Sequence, residues 1–212
     1  MNERDVARFL KLHRGYILYV PFLFYTAIML VFDITILITP YLAMQGSPLA
    51  DIMYSAFAPT CHQKASRSFC LFEKNSALYL DDCIEQAGKF VSGDSKITRI
   101  EKNGTVGYKF PVCARDMSLY IAMLIGAFAF ALLSGPNSTQ IPSKMLLFLA
   151  VIPLAIDGSL QFISAIGFSI PIIGHYESTN LVRAITGALA GFALSFYILP
   201  ITNSLVARTM EL

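Results

Sequence analysis

Charged residues are scarce in this sequence. Aspartate, glutamate, lysine and arginine make up 14% of its 212 residues, whereas about 25% is usual in soluble proteins. No basic cluster is dense enough to follow a phosphate backbone, so nucleic acid is not an expected partner. A phosphate-binding loop, a haem-attachment motif, a nucleophile elbow and a tandem repeat are also missing from the sequence. Because these signatures are missing, none of them indicates an enzyme class for this protein.

The sequence has, instead, long apolar runs in four places. They span about 15–40, 117–135, 145–170 and 181–205. A bilayer core about 30 Å thick is crossed by about 20 helical residues at about 1.5 Å each, and every run is about that long. Four such runs leave too little polar surface to cover them in water. The pattern predicts an integral membrane protein with four transmembrane helices, the first of which is too long for the core of a signal peptide.

Basic residues near the ends of the apolar runs predict the orientation. Arg4, Arg8, Lys11 and Arg14 precede the first run, Lys144 lies between the second and third, and Arg208 follows the fourth. With four spans these positions all fall on one side, which the positive-inside rule makes cytoplasmic. We therefore expect a multi-pass protein of the cell membrane with both termini in the cytoplasm and the long loop after the first run outside.

All the cysteines of the chain lie in that long loop, at Cys61, Cys70, Cys83 and Cys113. An oxidising outer compartment would allow disulfides to persist there. Four cysteines allow three pairings, and the sequence alone does not select one. Nested pairs, Cys70 with Cys83 and Cys61 with Cys113, fit the layout, because Cys61 and Cys113 lie at the two ends of the loop.

The loop also carries its own secondary-structure signals. Residues 49–57 follow a Ser47-Pro48 start signal and have apolar side chains at helical spacing, and residues 77–90 have a similar pattern, so both are predicted as short helices. Residues 96–110 alternate around Asn103-Gly104, which is the strongest short hairpin signal. Asn103 also begins a glycosylation motif, but we prefer to explain it as the turn itself.

Together these signals predict an all-α membrane protein. We expect a four-transmembrane-helix bundle with a small disulfide-braced α+β extracytoplasmic cap between helices 1 and 2. The predicted domains are a cytoplasmic tail with transmembrane helix 1 (1–44), the cysteine-containing cap (45–116) and transmembrane helices 2–4 (117–212). In the fourth run, the four-residue spacing of Gly187 and Gly191 is typical of close helix–helix contact.

Polar residues gather where the apolar runs meet the predicted outer side. The candidate outer-face polar site consists of His62, Gln63, Arg67, Arg115, Asp157, Gln161, Glu177, Asn180 and Arg183. A carboxylate within a span is costly to expose to lipid, so Asp157 should point inward and have a partner. Arg183 and Arg115 are the natural partners, and we expect Asp157 and Arg183 to be in direct or one-water contact. A buried ion-pair network that only fixes helix register is the structural alternative.

Five motifs in this part of the chain resemble those of a widespread family of prokaryotic membrane proteins whose function is unknown. They are Cys-His-Gln at 61–63, Arg-Ser-Phe at 67–69, Pro-Val-Cys-Ala-Arg at 111–115, Pro-Leu-x-x-Asp-Gly-x-x-Gln at 153–161 and Glu-Ser-x-Asn-x-x-Arg-x-x-Thr-Gly at 177–187. The resemblance covers about residues 55–187. It implies a family and leaves the function open.

The chain departs from the family pattern in two places. The family has a second cysteine where this sequence has Asp116. The family's connection between the Arg-Ser-Phe and Pro-Val-Cys motifs is also much shorter. Residues 70–108 therefore look like an insertion with its own cysteine pair, which supports a bridge between Cys70 and Cys83.

The residue types near the ends of the long loop fit a metal site. Cys61, His62, Cys113 and Asp116 suit zinc, although the aspartate makes the set less typical than one of cysteine and histidine alone. The competing interpretation is a disulfide between Cys61 and Cys113, which an outward-facing pair favours. No cofactor is firmly indicated, and zinc is the candidate.

Two classes of function remain. In the first, the protein is an accessory or structural subunit of a larger membrane complex, and its disulfide-braced cap docks onto membrane-protein partners. The small size, the apparent insertion and the missing second cysteine favour this class. In the second, a stand-alone membrane enzyme or binding protein uses its outer-face polar or metal site on a lipid-linked substrate, with His62 and a carboxylate as acid and base. The sequence does not decide whether the protein is an enzyme.

Overall fold

Four long helices and a small sheet make up the fold. The structure is a computed structural model of the chain, and it describes residues 16–59, 61, 64–85, 98–167 and 174–209. In chain order the elements are α1 (Val20–Met44), α2 (Pro48–Phe57), a 3-10 turn (Ala65–Arg67), β1 (Phe69–Lys74), β2 (Ala77–Asp82), β3 (Arg99–Lys102), β4 (Thr105–Lys109), α3 (Ala114–Ser134), α4 (Lys144–Ala165) and α5 (Asn180–Thr209).

The helices α1, α3, α4 and α5 are long and apolar enough to cross a membrane. They contain 25, 21, 22 and 30 residues, and each includes an 18-residue window of high hydropathy with at most two charged residues. The four predicted membrane-spanning segments are therefore confirmed as helices of spanning length. The helix α3 begins at Ala114, slightly before the apolar run. Asp116 lies in its first turn, where a carboxylate interacts favourably with the helix dipole.

The helices α3 and α5 make the closest contact in the bundle. A Cβ atom at Gly191 would overlap the carbonyl oxygen of Leu119, and one at Gly187 would overlap the carbonyl oxygen of Arg115. A Cβ atom at Gly126 of α3 would lie 2.7 Å from the carbonyl oxygen of Phe192. The two backbones therefore touch, which confirms the close packing predicted from the spacing of Gly187 and Gly191.

The helix α4 lies at the edge of the bundle and contacts mainly α5. Asp157 and Gln161 are the buried residues of α4, and its large apolar side chains, such as Phe148 and Ile156, are exposed. An apolar surface of this kind fits a helix that faces lipid on most sides.

Between α2 and α3 the chain forms a four-stranded antiparallel sheet, in which the strands lie in the order β2-β1-β4-β3. It consists of two hairpins, and the β3–β4 turn at Asn103-Gly104 has positive φ angles of 52° and 71°. The predicted hairpin is therefore confirmed, as is the predicted short helix at 49–57, which is α2. The predicted helix at 77–90 is wrong: residues 77–82 form β2, and residues 86–90 lie outside the described part of the chain.

The reason for this error lies in the turn before β2. Asn75 and Ser76 both have positive φ angles, 52° and 62°. Two such residues form a tight turn that reverses the chain and places 77–82 beside β1. Residues 77–82 therefore pair with β1 as a strand. This pairing outweighs their apolar spacing, which matched a helix only moderately well.

The two faces of the sheet have different environments. On one face, Phe69 and Leu71 of β1 pack against a cluster formed by the bundle and its neighbouring segments: Ile36, Phe57, Phe110, Val112 and Met117. The opposite face has a small core of its own, formed by Ala65, Cys70, Phe72, Cys83 and Ile100. Cys70 and Cys83 form a disulfide within this core, as predicted. We call these the bundle face and the outer face of the sheet.

Polar contacts fix the sheet at one end of the bundle. The Asn180 side chain, at the start of α5, donates to the Ser68 carbonyl oxygen at 3.2 Å and to Asp82 Oδ1 at 2.8 Å. The Tyr54 hydroxyl of α2 donates to the carbonyl oxygen of Lys109. The sheet therefore lies beside the carboxyl end of α1 and the amino ends of α3 and α5.

Candidate functional site

The residues predicted to form the polar site come together beneath the sheet. Arg67, Arg115, Asp157, Gln161, Glu177, Asn180 and Arg183 all contribute to one region between the 3-10 turn, the amino ends of α3 and α5 and the carboxyl half of α4. His62 and Gln63, the other two predicted members, lie outside the described residues. Their part in the site stays a prediction.

Glu177 is the centre of one half of this region. Its carboxylate accepts from Arg67 Nη2 at 2.8 Å and also pairs with Arg183, whose side chain is only 1% exposed. Arg183 Nη1 in turn donates to Asn180 Oδ1 at 3.0 Å. Because Asn180 also binds Ser68, this chain of contacts runs from the core of the bundle to the sheet. We call it the Glu177 cluster.

Asp157 is the centre of the other half, the Asp157 cluster. Its carboxylate pairs with Arg115 of α3, accepts from the Tyr176 hydroxyl at 2.9 Å and lies 3.3 Å from Ser178 Oγ, which donates to it. Gln161, one turn further along α4, accepts from Arg115 Nη2 at 3.2 Å and donates to Ser178. Burial, followed by the hydrogen bond to Asp157, raises the pKa of Tyr176 and keeps it a proton donor. This cluster joins α3, α4 and the segment before α5.

The partner of Asp157 is therefore Arg115, one of the two arginines expected. A direct pair of Asp157 with Arg183 does not form, because Arg183 pairs with Glu177, and a contact through one water stays a prediction. Glu177 immediately precedes Ser178 in the chain, so the segment that delivers a hydroxyl to Asp157 also delivers a carboxylate to Arg183. The Arg115 side chain lies beside Gly158, where an added Cβ would be 3.7 Å from Arg115 Nη1, at ordinary van der Waals distance.

Sequence reasoning missed three side chains of these clusters. Ser178 lies inside a matched motif and Tyr176 lies just before it, so their positions in the sequence were a usable signal. Asp82, which accepts from Asn180 at 2.8 Å, could not be found in this way. It lies at the end of β2, a segment for which a helix was predicted.

The described contacts of the two clusters link their members mainly to one another. Each central carboxylate has at least one guanidinium partner, and Arg67 and Arg115 are the members nearest solvent, with side chains 22% and 19% exposed. A cavity of about 450 Å³ lies elsewhere, between Met44 and the turns of the two hairpins. Paired charges that connect separate elements are the arrangement of an interior structural network more than of an open ligand pocket.

A second group of potential ligands lies at the amino end of α3. The Sγ atoms of Cys61 and Cys113 and a carboxylate oxygen of Asp116 all lie within 4.8 Å of one another, and the three residues are half-buried. The predicted disulfide between Cys61 and Cys113 is not formed. The Cys113 thiol instead donates to Asp116 Oδ2 at 3.1 Å. Its hydrogen bond with Cys61, together with burial, raises the pKa of the Cys113 thiol.

Comparisons with known proteins find relatives among uncharacterized proteins. Uncharacterized protein MJ1492 of Methanocaldococcus jannaschii is 29% identical over 188 residues, which cover 86% of this chain and 92% of that protein. An uncharacterized protein of Methanothermobacter thermautotrophicus is 34% identical over 91 residues, 42% of this chain and 69% of that protein. No solved structure matches the chain.

A family model described as predicted membrane protein, DUF2085, matches residues 105–197. This range begins in β4 and ends within α5, so it includes the whole Asp157 cluster, the Cys113 and Asp116 positions, and Glu177, Asn180 and Arg183. These matches agree with the resemblance seen in the sequence motifs. The chain belongs to the DUF2085 family of predicted membrane proteins.

Proposed function

We propose that this protein is an accessory subunit of a larger membrane complex. Four helices anchor it in the bilayer, and the sheet contacts a partner membrane protein beside the bundle. The observation that carries this proposal is a pair of exposed leucines at the edge of the sheet. Leu78 and Leu80 of β2 are 49% and 52% exposed.

The direction in which these leucines point follows from the strand register. Leu80 is paired with Leu71 and Leu78 with Glu73, and residues paired across antiparallel strands project from the same face. Leu71 packs on the bundle cluster, so Leu80 and Leu78 extend the bundle face beyond the helices. They form an exposed apolar overhang at the edge strand of the sheet, which the surface of a neighbouring membrane protein would complete.

The closed polar clusters support the same proposal. The Glu177 cluster joins the bundle to the 3-10 turn and the strand end at Asp82. The disulfide between Cys70 and Cys83 braces the outer face of the sheet. A sheet held in this way keeps its overhang in one position relative to the helices, which lowers the entropy lost on docking.

Photo-crosslinking in native membranes tests the docking role. A benzophenone side chain at Leu80 should give an adduct with one protein of fixed mass. The matched control is Lys74, which is exposed in β1 and projects from the outer face, and it should give no such adduct. The exposed-site variant Leu80→Glu should release the same protein while the bundle stays folded. Adducts with lipid alone at Leu80 would contradict the docking role.

Lipid-only adducts would favour the alternative, a stand-alone head-group or substrate site. The observation in its favour is the partial exposure of Arg67 and Arg115, which leaves two guanidinium groups within reach of a polar head group. In that case Arg67→Gln should reduce the binding of lipid head groups, and with it the lipid adducts, and no protein partner should be lost.

The proposed function places the sheet outside the cytoplasm and both termini inside. Lys144 and Arg208 lie at the end of the bundle away from the sheet, as the positive-inside rule requires of a cytoplasmic end. The disulfide lies at the other end, which suits an outward orientation because disulfides persist in an oxidising compartment. The basic group at 4–14, which motivated the same orientation, lies outside the described residues.

Labelling with a membrane-impermeant maleimide tests this orientation. In a Cys61→Ser, Cys113→Ser background, Glu101→Cys in β3 should react in intact cells. Thr139→Cys, in the turn between α3 and α4, should react only after lysis. Both positions are exposed, so both should react in lysed membranes. The reverse pattern would overturn the orientation.

A further inference from the structure

We infer that Cys61, Cys113 and Asp116 form a binding site for one zinc-type divalent cation. This inference goes beyond the accessory role and does not depend on it. The three side chains come from two separate parts of the chain, the segment after α2 and the first turn of α3, and their ligand atoms lie within 4.8 Å of one another. Two thiols and a carboxylate are ligands that zinc accepts.

The backbone holds the three ligand residues at the ends of two helices. Cys113 is the N-cap of α3 and Asp116 lies in its first turn, which directs both side chains to the same side of the helix start. The Cys61 amide donates to the Phe57 carbonyl oxygen at 3.2 Å, so this residue is held by a continuation of the last turn of α2. Neither ligand group depends on a long unsupported loop.

The distances require only a small adjustment. In a tetrahedral zinc site with bonds of about 2.0–2.3 Å, ligand atoms lie about 3.5–4 Å apart. Cys113 Sγ and Asp116 Oδ2 are 3.1 Å apart, and the largest separation in the set does not exceed 4.8 Å. Side-chain movements of about 1 Å would give the bound geometry. On binding, the cation replaces the thiol protons, including the one that Cys113 now donates to Asp116, and these protons leave to solvent.

The fold explains why these thiols are suited to a cation. Val112 and Met117, which are the chain neighbours of Cys113 and Asp116, belong to the bundle cluster, as does Phe57, whose carbonyl oxygen accepts from the Cys61 amide. Apolar surroundings lower the local dielectric and strengthen the attraction between a cation and its anionic ligands. Three protein ligands leave a fourth position on a tetrahedral ion. His62, which follows Cys61 in the sequence and lies outside the described residues, stays the predicted fourth ligand.

Metal analysis of the full chain tests the inference. The protein is purified in detergent without chelator or reductant, and its zinc content and thiol content are measured. We expect about one zinc per chain and two thiols that react only after the metal is removed. Cys113→Ser should lose the zinc. The control Asp51→Asn, which alters an exposed carboxylate of α2, should retain it.

Position 116 gives a test that does not depend on loss of folding. Asp116→Asn removes the anionic ligand with little change in shape and should weaken zinc binding at least about tenfold. Asp116→Cys supplies a softer thiolate and should bind more tightly than the natural chain. With cobalt as the probe, Asp116→Cys should also intensify the sulfur-to-metal charge-transfer band.

Two results would overturn the inference. The first is a disulfide between Cys61 and Cys113 in unreduced protein, found by peptide mapping. The second is an equal zinc content in the natural chain, Cys113→Ser and Asp116→Asn, which would place any metal elsewhere.

Discussion

Replacing Arg115 by glutamine should destabilise the folded bundle by about 3 kcal/mol. The change leaves the Asp157 carboxylate, whose side chain is 5% exposed, without its cationic partner. Removing one partner of a buried pair costs more than the pair contributes, because the remaining charge is desolvated and uncompensated. The effect should be seen as a lower midpoint when the detergent-solubilised protein is unfolded by increasing fractions of dodecyl sulfate.

A double-mutant cycle shows whether the loss comes from this contact. Asp157→Asn removes the charge, so the double variant Arg115→Gln, Asp157→Asn should be more stable than the sum of the single losses predicts. The matched control pairs Asp157→Asn with Arg183→Gln. Arg183 binds Glu177 instead, so these losses should add to within about 0.5 kcal/mol. A larger interaction energy with Arg183 than with Arg115 would contradict the observed pairing.

The helices and the second hairpin were predictable because their signals are local. An apolar run of about 20 residues has few alternatives to a spanning helix. Asn103-Gly104 provides positive φ at both central positions of a tight turn, and few other residue pairs do so. The bridge between Cys70 and Cys83 was predictable for a related reason, since both cysteines belong to one short segment of the chain.

The strand β2 and the partner of Asp157 were not predictable in the same way. At residues 77–82, apolar residues have a spacing that both a helix and a strand can accommodate, and pairing with β1 decides between them. Arg115 and Arg183 are both arginines at the starts of helices, and only the packing of α3 against α5 determines which guanidinium group faces α4. Contacts between segments that are distant in the chain decide both the conformation of residues 77–82 and the partner of Asp157. Such contacts cannot be inferred from local patterns in one sequence.

The Cys61 and Cys113 positions show a different limit. Sequence reasoning brought these residues together correctly, and the structure places their sulfur atoms within 4.8 Å of each other. Whether two neighbouring thiols are oxidised or bind a cation depends on the third group, the Asp116 carboxylate, and on the redox state of the compartment. Proximity follows from the fold, whereas the chemical state depends on conditions that the fold does not set.

Replacing Gly191 by alanine should separate α3 from α5 and destabilise the bundle by about 1–3 kcal/mol. The new methyl group would overlap the Leu119 carbonyl oxygen, a backbone atom that no side-chain rotation can move away. Relief requires the two helices to move apart. That movement would also weaken the hydrogen bond from Ser195 Oγ to the Met123 carbonyl oxygen, now 2.7 Å long.

Gly158→Ala is the matched control for this prediction. It makes the same chemical change in another long apolar helix, but the added Cβ would lie 3.7 Å from the nearest atom, at ordinary van der Waals distance. Alanine also favours helix over glycine by up to about 1 kcal/mol, so this variant should be neutral or slightly stabilised. Midpoints from dodecyl sulfate unfolding of both variants provide the comparison. Equal changes in stability at positions 158 and 191 would mean that the added methyl group meets no special obstacle at position 191, and that the backbones of α3 and α5 do not touch.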